Sequence, residues 1–98
     1  MSVNRVSLQG NVTFTETLRH TPAGLPVLNC RLQHSGMQME AGMERRVRCD
    51  VNAVAIGDIA LRMARLAPGT ALSISGFLAS TSNTRAGPSL ILHITNFE

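Results

Sequence analysis

The chain contains no lysine, no tryptophan and no tyrosine, and its only aromatic rings besides histidine belong to Phe14, Phe77 and Phe97. Its core must therefore be aliphatic, filled by Val, Leu, Ile, Ala and Met, and every strong positive charge on a side chain is a guanidinium. Cysteine is scarce. Cys30 and Cys49 cannot make a disulfide framework, and neither they nor His20, His34 and His93 show a CxxC or HxxxH spacing, so no metal site is expected. Carboxylates are few and scattered. Asp50, Asp58, Glu16 and Glu40 fall on different segments, which argues against an enzyme such as a metal-dependent nuclease. The opening "MSVNRVSLQG" has no apolar stretch of the signal-peptide kind, and no apolar run approaches the length of a membrane span. The expected home is the cytoplasm, with both thiols reduced and no membrane partner.

What is present is enough for one domain over residues 1–98, with 44% hydrophobic residues and a net charge of +3. Residues 5–15 alternate with period two, with Val6, Leu8, Gly10, Val12 and Phe14 on the inner row, as in a half-buried strand. Gly10 is the expected place for a bend or bulge. "HTPAGLP" is turn chemistry. A second strand runs from about Val27 to His34, with Leu28, Cys30, Leu32 and then His34 inward and Val27, Asn29, Arg31 and Gln33 outward. "SGMQMEAGME" has no regular period and reads as the mobile tip of a hairpin, with methionines that either tuck back or offer apolar contact. The third strand puts Val47, Cys49, Val51, Ala53 and Ala55 inward. Arg46, Arg48, Asp50 and Asn52 point outward, and Val54 and Ile56 mark an end covered by something else. A short helix follows, with Asp58 as N-cap and Ile59, Met63 and Leu66 on one face. Two further strands, Ala71–Ser80 and Ser89–Phe97, flank the polar loop "STSNTRAGPS".

Five antiparallel strands with a helix between the third and fourth is the order of an all-β OB-fold barrel. In such a barrel the outer face of the second and third strands and the loops between strands one–two and four–five bind oligonucleotides. Arg31, Arg46 and Arg48 point outward there, Arg19 and His20 fall in the first loop, and Arg85 falls in the last. Arg45 sits at the hairpin base and can turn either way. A guanidinium both clamps phosphate and lies flat on a base, so Arg46 and Arg48 are candidates to supply some of the missing aromatic stacking. Phe77, on the polar face of its strand, is either a lone platform or a contact under a loop or in a subunit interface. The other reading of the arginines is a solvated face balanced by Glu40, Glu44 and Asp50.

The segments "NRVSLQGNV", "LRHTPAGLPVLNCRLQHS", "CDVNAVAIG", "PGTALSISGFLA" and "LILHI" resemble the bacterial single-stranded-DNA-binding superfamily, and within it the primosomal replication protein N (PriB) family. The resemblance spans nearly the whole chain. It implies a non-enzymatic, cofactor-free, homodimeric OB-fold that binds single-stranded DNA and joins the primosomal helicase PriA and other primosome proteins in restarting replication. By the same resemblance the DNA contacts fall on Arg19 and on the hairpin and third strand, at Met43, Arg45, Arg46 and Arg48. Arg48 stands where the family has an aromatic, Met43 replaces another at the hairpin tip, and Arg85 alone carries charge in the last loop. Binding that leans on charge is expected. Two other roles stand beside this one. A housekeeping single-strand coat protein is disfavoured because the chain ends directly after its last strand. A protein–protein adaptor would turn the same arginines toward an acidic partner.

Overall fold

The computed structural model describes residues 2–81 and 89–98. The elements are β1 (Val6–Thr15), β2 (Arg19–His20), β3 (Pro26–Glu40), β4 (Met43–Ile56), α1 (Asp58–Met63), β5 (Ala71–Thr81) and β6 (Ser89–Phe97). Neighbours run β1-β5-β6-β4-β3-β2, and an added β1–β3 pairing closes the five long strands into a barrel. Not every contact is antiparallel, as the alternation alone suggested. Ala53–Ala55 of β4 pair in parallel with Leu92–Ile94 of β6. A ring with an odd number of strands cannot alternate direction all the way round, so one contact has to be parallel. Among the described residues no helix is long and apolar enough to cross a membrane.

The inner rows fill the barrel with aliphatic side chains. Val12, Leu28, Cys30, Leu32, Ala53, Ala55, Leu72, Ile74, Leu92 and Ile94 form one buried cluster with Ala60 and Met63 of α1. Ile59 and Leu66 pack against that cluster as the helical spacing requires. The helix is shorter than its pattern suggested, and its cap is Gly57 rather than Asp58. Gly57 has φ 91°, a region that side-chain-bearing residues avoid, and its N–H donates to the Pro26 carbonyl at 2.9 Å. That bond ties the end of β4 to the start of β3, and the helix starts at Asp58, one residue earlier than expected. Asp58 then occupies the first turn, where its charge favours the dipole.

Two close approaches set the strand crossings. A Cβ on Gly76 would lie 1.9 Å from the His93 carbonyl oxygen, beside the register shift between Ser75 and Gly76 in the β5–β6 ladder. A Cβ on Gly10 would lie 2.9 Å from the Gln33 carbonyl oxygen, so Gly10 marks a close passage of β1 under β3. The bulge of β1 is further on, between Val12 and Phe14. It reverses the row, and Phe14 leaves the inner face to become 55% exposed. His34 locks the same crossing by donating its Nδ1–H to the Gln9 carbonyl at 2.6 Å.

The largest departure from the sequence reading concerns "SGMQMEAGME". It is not an irregular tip. β3 and β4 stay in register from Val27↔Ile56 out to Glu40↔Met43. The turn is Ala41-Gly42, both at positive φ (54° and 79°), as a two-residue type I′ hairpin needs. Beyond the crossing at His34 the two strands leave the barrel as a ribbon, and the molecule measures 50 × 31 × 30 Å. Cys49, expected inside, is exposed, and Val47 is half-buried, because no third layer among the described residues covers the ribbon. At the other end Val54 is buried as expected and Ile56 is exposed. Val27, expected outward, is buried where β2 and β4 flank β3 on both sides. Leu90, in line with Leu92 and Ile94, is exposed near the open end of β6.

Candidate nucleic-acid interface

Directly paired residues of an antiparallel ladder share a face. In the β3–β4 ladder Arg31 opposes Asn52, Gln33 opposes Asp50, Ser35 opposes Arg48, and Met37 opposes Arg46. Arg31, Arg48 and Arg46 therefore line one outward face that runs from the barrel wall onto the ribbon, and all three are exposed. Asp50, on the same face, accepts from the Gln33 amide at 3.3 Å, and Arg31 donates through Nε to Asn52 Oδ1 at 3.4 Å. Arg46 and Arg48 have no ion-pair partner among the described residues, so their full charge faces solvent.

Arg45 and Met43 fall on the other face of the ribbon, opposite Gln38 and Glu40. Arg45 lies near the turn rather than the hairpin base. Its guanidinium pairs with Glu40 Oε1 at 2.6 Å, the one ion pair among the described residues. Met43 is 70% exposed beside it. An ion pair this open to water adds little stability, and its main effect is to neutralise this face.

Arg19 belongs to β2, which pairs with the start of β3. That short strand is missing from the sequence reading because Arg19-His20 is too brief to show a period. It brings Arg19 to the rim of a depression of about 340 Å³ that Arg31 and Asn52 also line. Phe14, Glu16, Asn29, Thr81 and Ile91 complete most of its wall. Glu16, the one acid there, accepts from the Asn29 amide at 3.1 Å. The turn after β2 is closed as the "TPAGLP" pattern requires, with the Thr21 N–H donating to the Leu25 carbonyl at 2.9 Å and the Thr21 hydroxyl accepting from the Leu25 N–H at 3.1 Å. Arg85 lies outside the described residues. Thus Arg19, Arg31, Arg46 and Arg48 lie along one side of the molecule, and Met43 and Arg45 do not join them.

One row along the same outer face, Asn29 opposes Val54, Val54 pairs His93, and His93 pairs Phe77. The Phe77 and His93 rings stack at 4.8 Å with 9° between planes. No cluster of acidic, histidine and cysteine side chains fit to hold a metal occurs among the described residues.

Comparison with known proteins agrees with this architecture. The profile of a family described as "Another single-strand binding protein family" matches residues 4–96. A replication restart protein PriB from Bordetella pertussis is 44% identical over 77 residues, which are 79% of this chain and 72% of the relative. The solved PriB structure from Ralstonia solanacearum superposes with TM-score 0.87 at 38% identity, covering 99% of this chain and 97% of that one. The single-stranded DNA binding protein of Thermus aquaticus shares the fold with TM-score 0.80 at 23% identity, covering 98% of this chain and 49% of its own. With a matching profile across almost all its length and relatives of this identity, the chain belongs to the PriB family of replication restart proteins, within the single-strand-binding proteins.

Proposed function

We propose that the protein is a non-enzymatic accessory factor of replication restart that holds single-stranded DNA along the outward face of β3 and β4. The observation that carries this reading is the shared face of Arg31, Arg48 and Arg46, continued at the barrel by Arg19. Phosphates lie on the guanidiniums, and displaced counterions drive binding. Met43 and Arg45 reach DNA only where the strand wraps over the ribbon turn, because their register puts them on its other face. The protein acts in the cytoplasm, and its DNA-held form steadies the primosomal helicase PriA. A homodimer is part of the same reading. Val6–Leu8 pair with β5 on one side alone among the described residues, and a second copy would extend that edge.

The test is anisotropy of a labelled dT oligomer across a salt series, with helicase binding measured separately. A log–log slope of about −2 to −3 is expected for three or four phosphate contacts to a single strand. An affinity that ignores salt overturns the groove. Absence of dT binding at low salt, with helicase binding kept, gives the adaptor role instead. Sedimentation equilibrium showing only monomer at micromolar concentration removes the dimer.

A further inference from the structure

The groove lacks the tyrosines and tryptophans on which single-stranded nucleic acids usually stack, and the sequence pattern assigned its aromatic at residue 14 to the core. The bulge between Val12 and Phe14 changes that assignment. It turns the Phe14 ring out of the barrel, where it stays 55% exposed and takes no part in the buried cluster. Its Cα partner across the β1–β3 ladder is Arg31. Phe14 and Arg31 therefore share a face, and both line the 340 Å³ depression with Arg19, Asn29, Asn52 and Ile91.

We propose that Phe14 is a base-stacking platform of this groove, with a base of a single-stranded nucleic acid as its occupant. The inference rests on the reading of the groove as a nucleic-acid site and adds a residue to it. Three features of the depression fit a nucleotide unit. Two guanidiniums, Arg19 and Arg31, supply charge complementary to phosphate. A large exposed ring offers a π-face, which every base can use. Asn29 and Asn52 line the depression next to Ile91; Asn29 already donates to Glu16 and Asn52 accepts from Arg31, which leaves the Asn29 Oδ1 and the Asn52 Nδ2 to meet a base edge. An aromatic this exposed contributes little to the core, and a barrel gains nothing from expelling it at a bulge. Bulges commonly re-aim a side chain at a working surface in this way.

The absence of native tryptophan makes the test direct. Phe14→Trp places the sole indole of the protein in the groove, and its emission should be quenched on adding dT oligomer, with affinity kept. Phe14→Ala should weaken dT binding by roughly 5- to 100-fold, the range for losing one stacked base, with the salt slope unchanged because no phosphate contact is lost. Arg46→Glu with Arg48→Glu should instead flatten the slope. Circular dichroism and melting of Phe14→Ala check that the barrel persists. If that variant fails to fold, the quenching of Phe14→Trp decides alone. Unquenched emission with intact dT binding overturns the role of Phe14 and leaves the groove standing. If the unaltered chain fails to bind dT at low salt, both readings fall together.

Discussion

β3 is one unbroken strand with two different fates. Its first half, Pro26 to His34, forms the barrel wall and buries Leu28, Cys30 and Leu32. Its second half pairs just as regularly with β4, yet Met37 and Met39 stay 52% and 66% exposed. The same contrast holds in β4, where Ala53 and Ala55 are buried and Cys49 on the same row is exposed. The difference lies in what covers each stretch. Up to His34, β1 and the helix close one face; past it, no further element arrives among the described residues. The hydrogen-bond ladder is therefore indifferent to burial, while side-chain energetics depend on it almost wholly. The barrel carries the stability and the ribbon extends the charged face.

Substitutions that break this contrast should differ by large factors. Gly76→Ala puts a Cβ within 1.9 Å of a backbone oxygen in the barrel, which no rotamer relieves. We expect a loss of about 3 kcal/mol or more, or no cooperative melt at all, by thermal denaturation. Leu32→Ala, at a fully buried site, should lose about 2–5 kcal/mol, while Val47→Ala on the ribbon should lose about 0.5 kcal/mol or less. Equal losses at the two sites would mean that the ribbon packs on something in solution.

Charge reversal on the ribbon should affect binding and leave folding intact. Arg46→Glu with Arg48→Glu should flatten the salt slope for dT by about 1.4 and shift the melting temperature little. A slope identical to that of the unaltered protein would remove the ribbon from the DNA path.

The two thiols report the same division more gently. Burial pushes the Cys30 thiol up from an ordinary value of 9.0 to about 11, whereas Cys49 is exposed. A thiol reagent at pH 8 should modify Cys49 in the native protein and Cys30 only on unfolding. In the unfolded chain Cys30 ionises near 9, and in the barrel it holds its proton until about 11. Its contribution to stability is thus complete below pH 9 and is lost as pH rises toward 11. A denaturant midpoint unchanged between those pH values would show that Cys30 is solvated.

The smallest effect is expected at the turn. Ala41 sits at φ 54°, which costs an alanine about 1 kcal/mol and an asparagine less. Ala41→Asn should slow hydrogen exchange in the ribbon amides and move the melting temperature by a few degrees at most. A large rise would mean that ribbon and barrel unfold as one unit.

Much of the barrel was legible because alternation and helical spacing are local. Leu28, Cys30, Leu32, Ile74, Leu92 and Ile94 are buried as their rows demand, and Ser89–Phe97 ends where its pattern ends. Of the site, Arg31, Arg46 and Arg48 were legible from parity, because outward positions two apart share a face. Arg45 was not, since parity assigns its face only if the strand continues past Arg46 to the turn, and that segment shows no apolar period from which to read a strand. Phe14 was misassigned, since a bulge adds one residue to one strand and leaves no trace in a pattern that reads each strand alone.

The amino-acid order by itself determined which residues alternate, where the chain turns, the aliphatic nature of the core and the restriction of strong positive charge to arginine. Only the tertiary structure decided how far the β3–β4 pair projects past the barrel, that one contact of the ring runs parallel, and that the ring of Phe14 faces the arginines. The reason is physical: alternation fixes which side of a strand is apolar, but burial and register are set by the neighbour that arrives from elsewhere in the chain.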